Sequence, residues 1–289
     1  MKLLKEYLGW LRDVIKENGV DELLFTCDGG WDLYKYGIDG YGAGLDDLLW
    51  TVNFKDTAEL WLTELATIQP GKPTMVMEWW TGWFDYWGED HHDWAPEDFE
   101  TQLRAILEFG SSVNFYMFHG GTNFGWMNGA NWNVGSTEGL YEYQPVITSY
   151  DYDAPLSEYG QLTVKANITA QLISEILGYP IPDMGPDTWV TRQVKYDSVS
   201  AKQAANLWRN LEQAENFVSN DAPLAMEMFP VNKNRGQPYG YALYRPDIKV
   251  SGGDFTLDGL DRAMSGRANV FVNQDNQVRI TWSCNIVTL

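Results

Sequence analysis

Thr74-Met-Val-Met-Glu-Trp-Trp-Thr-Gly-Trp83 is the stretch on which the reading of the fold turns. A short apolar run leads into one carboxylate, and three indoles crowd around it. Gln69-Pro-Gly-Lys-Pro73 breaks the chain before the run and Gly82 follows it, so the run has the length and borders of a buried strand. Two runs of the same kind lie upstream, Leu23-Leu-Phe-Thr-Cys27 before Asp28-Gly-Gly30, and Leu48-Leu-Trp-Thr-Val-Asn53. A fourth, Val113-Asn-Phe-Tyr-Met-Phe118, lies downstream. Between the runs the apolar period changes to that of helices. Leu4, Leu8, Leu11 and Ile15 recur at helical spacing, and Gly19 ends that helix. Trp61, Leu65 and Ile68 mark the inner face of a second helix, which Asp56 is placed to cap. Phe99, Leu103, Ile106 and Leu107 mark a third, with Pro96 in its first turn. A last helix runs from Leu162 to Leu177, with Val164, Ile168, Leu172 and Ile176 along one face.

Buried strands alternating with helices imply an α/β fold, with a parallel sheet and right-handed crossovers. A doubly wound sheet and a barrel both satisfy this pattern. A complete eight-stranded barrel takes roughly 250 residues, and here the pattern covers only residues 1–178. Residues 179–222 read as a linker of unassigned structure, opening with Tyr179-Pro-Ile-Pro-Asp-Met-Gly-Pro186. Residues 223–289 carry short β-like segments at Tyr239–Tyr244, Asp254–Leu257, Asn269–Val272 and Val278–Trp282. These predict part of an antiparallel β domain with too few strands to close a sandwich or barrel.

Composition narrows the function. Of 289 residues, 44% are hydrophobic and 21% charged, enough to bury a sizeable core. The formal net charge of −20 leaves no basic surface for nucleic acid or an anionic membrane, and no apolar run approaches transmembrane length. An acidic surface is compatible with an acidic compartment. Aromatics make up 15% of the chain, with 14 tryptophans. Some of these fill the core, and others suit a cleft that stacks on the apolar faces of sugar rings. Cys27 and Cys284 form no metal motif, and Cys27, in an apolar run, reads as a buried thiol. His91-His92 reads as a solvated loop pair, with no third histidine nearby to complete a metal site. His119-Gly-Gly-Thr-Asn-Phe-Gly125 lacks the lysine of a phosphate loop and reads as a tight turn rimming a pocket. Ser136 stands in no Gly-x-Ser-x-Gly setting. Neither a metal nor an organic cofactor is expected, and nothing in the sequence fixes an oligomeric state.

Glu78 is the sharpest candidate for chemistry. In parallel α/β folds, active sites gather at the carboxyl ends of strands, where Glu78 falls. A carboxylate among Trp79, Trp80 and Trp83 is costly to bury without a partner or a role. It is either a structural ion pair or a catalytic group. A glycosidase needs two carboxylates, held about 5–5.5 Å apart in retaining enzymes. Asp28 also ends a strand, but before Gly29-Gly30 it reads as a turn cap. Asp85, Glu89, Asp90, Asp151 and Asp153 fall in loops. Tyr150 and Tyr152 flank Asp151 in a string rich in hydroxyls and carboxylates, suited either to sugar hydroxyls or to a self-satisfied surface turn.

Five segments in order carry a family resemblance: Leu23–Gly29, Glu78–Gly88, Asn114–Gly125, Asn128–Asn131 and Thr148–Glu158. Together they resemble glycoside hydrolase family 35, the β-galactosidases, over about residues 1–178, and more loosely through Tyr244. The resemblance implies the C-terminal half of a TIM (β/α)8 barrel, strands five to eight, followed by the start of an antiparallel β domain. It implies that Glu78 ends the seventh strand and is the nucleophile of a retaining β-galactosidase. It implies that Tyr152 and Tyr150 hydrogen-bond near the reacting sugar, and that Trp83 and Trp80 line the galactose pocket. Asn114 and Asp28 match family positions without a role. The family's acid/base glutamate belongs to an Asn-Glu-Tyr-Gly string that does not occur in these 289 residues. The expectation is therefore a chain truncated at both ends, inactive alone, from a hydrolase of terminal β-D-galactose residues. A galactose-binding pseudoenzyme is the alternative. The full-length protein is expected to be extracellular, lysosomal or vacuolar. Met1-Lys-Leu-Leu-Lys-Glu-Tyr7 lacks the apolar core of a signal peptide, and Asn167-Ile-Thr is a glycosylation sequon.

Overall fold

The structure, a computed structural model, describes residues 2–32, 44–134, 141–181, 194–212, 224–245, 267–272 and 275–281. The chain divides into two compact units. The first takes Met1–Asp85, Glu89–Thr122 and Ser149–Arg192; the second takes Tyr86–Gly88, Asn123–Thr148 and Gln193–Leu289.

The first unit is built on a parallel sheet. Its strands are β1 (Asp28–Gly29), β2 (Val52–Phe54), β3 (Met75–Trp80) and β4 (Ser112–Tyr116), adjacent in the order of the chain. Every pairing is parallel. The run Leu23–Cys27 makes a single bridge, Phe25 to Leu49, and the ladder proper begins after it, at Asp28. The helices are α1 (Lys2–Glu17), α2 (Ala58–Ile68), α3 (Pro96–Glu108) and α4 (Val164–Leu177).

Local sequence explains most helix ends. Gly19 adopts φ 82°, and its N–H donates to the Lys16 carbonyl at 3.0 Å, closing α1. Ala95 is extended, as a residue before proline must be, and Pro96 opens α3 with Glu97 and Asp98 in its first turn. The start of α2 departs from expectation. Asp56 does not cap it; Thr57 sits in the left-handed region and offers no side-chain bond to the helix. Instead the Ala58 N–H donates to Gln102 Oε1, 3.0 Å away on α3. A tertiary acceptor has replaced a local one.

The core lies between the sheet and these helices. Trp61, Leu62 and Leu65 of α2, and Phe99, Leu103, Ile106 and Leu107 of α3, are buried. Trp79 is fully buried and packs on Phe99 and Phe115, with ring centroids 4.8 and 5.1 Å away. On α4 the buried face is Lys165, Ala166, Thr169 and Leu172, while Val164, expected inside, is exposed. The face is rotated because the Lys165 ammonium has partners inside, described below.

The second unit contains a hairpin, β5 (Ala130–Val134) with β6 (Tyr141–Pro145), extended by a bridge from Tyr86 to Val146. Further along lie a short helix α5 (Leu207–Glu212) and an antiparallel pair, β7 (Arg267–Val272) with β8 (Asp275–Thr281). Residues Tyr239–Tyr244, expected as a strand, are not one. The Gln237 amide donates to the Tyr239 and Tyr241 carbonyls at 3.2 and 2.9 Å, so acceptors that a ladder would use are taken locally. Asp254–Leu257 lies outside the described residues. Among the described residues no helix is long and apolar enough to cross a membrane.

Candidate active site

Alternation along a strand puts Trp79 on one face of β3 and Glu78 with Trp80 on the other. The buried core takes Trp79. The opposite face brings the Trp80 indole N–H to Glu78 Oε2 at 3.0 Å. Glu78 is half-buried at the carboxyl end of the strand.

A bulge sets the position of Glu78. Val52 and Asn53 of β2 face Val76 and Glu78, so β3 carries one extra residue, Met77, in that register. The register with β4 shifts over the same stretch. A bulge removes backbone groups from the ladder, and two asparagines take them up. Asn53 Oδ1 accepts the Glu78 N–H at 3.0 Å, and Asn114 Nδ2 donates to the Met77 carbonyl at 2.9 Å. Each such bond contributes about 1 kcal/mol. Asn53 also donates from Nδ2 to Cys27 Sγ at 3.2 Å, and the Cys27 thiol donates to Glu78 Oε1 at 3.5 Å. Cys27, expected to be buried, is exposed. The short ladder of β1 starts only after it, so the thiol lies at the sheet's rim beside Glu78.

Beyond β3 the chain builds an aromatic wall. Trp80 meets Trp83 edge-on at 5.5 Å, Trp83 stacks on Phe84 at 4.9 Å, and Phe84 stacks on Tyr150 at 5.2 Å. Tyr152 lies behind, 6.0 Å from Trp83 and 5.8 Å from Tyr116. Trp80, Trp83 and Tyr150 are half-buried. Tyr152, expected beside the reacting sugar, is wholly enclosed and supports its neighbours. Two glycines let the loops interlock. A Cβ at Gly82 would stand 1.8 Å from the Tyr152 carbonyl oxygen, and one at Gly120 would stand 1.8 Å from that of Tyr150. The segment from Ser149 to Glu158 is thus laid over the strand ends by backbone contact that any larger residue would block.

Charged groups fasten that segment. Asp85 accepts the His92 backbone N–H at 2.8 Å and contacts His91 Nδ1 at 2.6 Å and His92 Nδ1 at 3.1 Å. The far nitrogen of His91 lies 3.9 Å from Asp151 Oδ2. The adjacent histidines, expected as a solvated loop pair, converge on one carboxylate, Asp85, which no motif ties to them. Asp85, His91 and Asp151 place ligand atoms within 4.8 Å of one another. The 2.6 Å contact is a direct hydrogen bond, shorter than the spacing of two atoms sharing a metal, so the cluster reads as a proton-bearing clamp. Desolvation pushes Asp85 up, but the His92 amide and both rings hold it below the ordinary carboxylate value. The bond to Asp85 raises His91 against desolvation. Asp151 is raised, chiefly by desolvation. Lys165 on α4, almost fully buried, donates to Asp153 Oδ2 and to the carbonyls of Asp153 and Thr81 at 2.7 and 2.9 Å. Glu158 accepts from Ser149 at 2.7 Å and from Thr122.

The profile of glycosyl hydrolases family 35 matches residues 1–176, a span that includes every group named here. The chain belongs to glycoside hydrolase family 35. Relatives of the family include human beta-galactosidase-1-like protein 2, 36% identical over 269 residues, or 92% of this chain and 39% of that protein. A beta-galactosidase of Xanthomonas manihotis is 37% identical over 245 residues, 84% of this chain and 37% of its own length. Bovine beta-galactosidase is 34% identical over 275 residues, 93% of this chain and 38% of its own length. The chain therefore spans about two fifths of the length of these family members. Sequence reading singled out Glu78, Trp80, Trp83, Tyr150 and Tyr152 for this site, and the structure encloses the last of these behind the others. It missed the thiol of Cys27, read as a buried core group just before β1, and the amide of Asn53 on β2, which has no motif of its own.

Proposed function

We propose that this chain supplies the nucleophile side of a retaining β-galactosidase, folded as strands five to eight of a (β/α)8 barrel over residues 1–178, with a linker at 179–222 and part of a β domain at 223–289. The observation that carries the reading is Glu78 at the end of β3, with each carboxylate oxygen held by a neutral donor beside half-exposed indoles. Neutral donors orient a carboxylate without quenching its charge, which is what a nucleophile needs. Relatives named beta-galactosidase support galactose as the sugar.

In the full-length protein, the Glu78 carboxylate attacks the anomeric carbon of a terminal β-linked galactose. The leaving oxygen takes a proton from a glutamic acid outside these 289 residues. That glutamate then takes a proton from water, whose oxygen cleaves the glycosyl ester and releases galactose with retained configuration. Trp80 and Trp83 offer ring faces to the apolar side of the sugar. Tyr150 supplies a hydroxyl, and Tyr152, enclosed behind it, backs the wall that holds the sugar. The reaction is assigned to an extracellular, lysosomal or vacuolar protein.

Hydrolysis of aryl β-galactoside, β-glucoside and β-mannoside by the full-length protein tests this. The galactoside should be preferred, and Glu78→Gln should lower its turnover by about a thousandfold or more. Residues 1–289 alone should hydrolyse little or none. Full galactosidase activity in Glu78→Gln sinks the assignment. Galactose binding by calorimetry with no turnover in the full-length protein points to a pseudoenzyme instead.

A further inference from the structure

We propose that Cys27 is a positioning residue for Glu78, holding one carboxylate oxygen through its thiol while Asn53 ties both to the sheet; this rests on the reading of Glu78 as nucleophile.

The geometry is a closed ring that joins β2, β3 and the residue just before β1. The Glu78 N–H donates to Asn53 Oδ1, Asn53 Nδ2 donates to Cys27 Sγ, and Cys27 Sγ donates to Glu78 Oε1. The distances are 3.0, 3.2 and 3.5 Å, the last two normal for the larger sulfur atom. Each member donates once and accepts once, so the direction of every bond is fixed by its neighbours. Asn53 can satisfy the bulged backbone of β3 only through its oxygen. That turns its NH2 toward Cys27, so the sulfur accepts and must donate its own proton onward. Trp80 holds the other oxygen of Glu78 from the opposite side. The carboxylate is thereby fixed in rotation about its last bond, by two donors that carry no charge. A lysine at position 27 would also hold it, but as an ion pair that weakens the attack.

The thiol has to stay protonated to donate. Desolvation raises its pKa, the Asn53 amide opposes, and the Glu78 charge raises it further. An exposed cysteine beside a cation would behave in the opposite way. Serine could substitute, since its hydroxyl also donates and accepts, whereas alanine leaves Asn53 and Glu78 Oε1 each without this partner.

Two measurements on the full-length protein test the proposal. The first is the pH dependence of Cys27 alkylation by iodoacetamide, followed on the Cys27 peptide by mass spectrometry. In Glu78→Gln the thiol midpoint should fall by about one pH unit, because the neighbouring charge is gone. The second is labelling by 2-deoxy-2-fluoro-β-D-galactosyl fluoride, in which the Glu78 carboxylate displaces fluoride from the anomeric carbon and forms a glycosyl ester. The leaving fluoride needs no general acid, so the labelling step reports on the nucleophile and not on the acid/base glutamate. Cys27→Ala should label about tenfold more slowly than the unmodified chain, and Cys27→Ser within about threefold of it. An unchanged midpoint in Glu78→Gln, or equal labelling in Cys27→Ala, overturns the proposal. Failure of the unmodified full-length protein to label while the midpoint still shifts sinks the galactosidase reading and supports the hold of Cys27 on the carboxylate.

Discussion

Glu78 is placed by polar side chains of the neighbouring strands. One extra residue in β3 turns the carboxylate to its rim position, and Asn53 and Asn114 satisfy the backbone that the bulge displaces. The same division of labour appears at Asp85, where two histidines converge on one carboxylate and hold the chain that carries Trp83 and Phe84. This clamp has a pH signature. His91 is raised in the folded protein, so its contribution is complete below its ordinary value of 6.5 and lost as pH rises through the folded value. Asp85 is lowered, so its contribution is complete above 3.8 and lost as pH falls through the folded value. Asp151 is raised from the same 3.8, and its desolvated charge subtracts stability as it ionises. The clamp is therefore strongest in the acidic window between the carboxylate and imidazole ranges. Thermal melts from pH 5 to 9 should show a fall above pH 6.5 that His91→Gln abolishes. The difference should stay below about 1 kcal/mol, because His91 is half exposed and solvent screens it. A His91→Gln profile that tracks the parent across this range would remove the clamp from the account.

At the scale of elements, α4 is organised around a buried cation. The Lys165 side chain is 3% exposed, and its partner Asp153 is 27% exposed. Lys165 is lowered mainly by desolvation, with Asp153 pulling against it. The ammonium also lies 5.5 Å from the Phe99 ring centroid and 5.9 Å from that of Trp94. Its bonds to the carbonyls of Thr81 and Asp153 join α4 to the loop after β3 and to the segment bearing Tyr150 and Tyr152. Removing one member of such a pair strands the other. Lys165→Met should lower stability by about 3 kcal/mol in urea unfolding, and adding Asp153→Asn should restore part of it. Loss in the double variant equal to the sum of the single losses would mean that the two groups are not coupled.

At the scale of the molecule, the first unit has a parallel sheet whose β1 edge pairs with no further strand among the described residues. The apolar side chains near that edge and on α1 are correspondingly open: Leu4, Tyr7, Trp10, Leu23 and Phe25 are all exposed. Leu4, Leu8, Leu11 and Ile15 of α1 line a groove with Leu24 and Phe25. An apolar edge of this kind promotes association. Sedimentation of residues 1–289 should show concentration-dependent self-association, and Phe25→Lys should reduce it, since a charge at an edge blocks pairing. A single monomeric species up to about 100 µM would refute this, as exposed edges associate in the micromolar to millimolar range.

Local pattern determined the element types and most of the core. The helices carrying Leu4, Trp61 and Phe99 and the strands at Met75 and Ser112 were legible because a period of 3.6 or 2 records which side faces inward. The strand-end position of Glu78 was legible for the same reason. What the sequence could not contain were events that depend on a neighbour brought in from far along the chain. Gln102 replaced Asp56 at the start of α2, Lys165 rotated α4 toward Asp153, and Cys27, just before β1, met Glu78 on β3. A polar side chain is satisfied by whichever partner the packed fold delivers, so hydrophobic periodicity fixes where it sits, while only the tertiary structure decides what it touches.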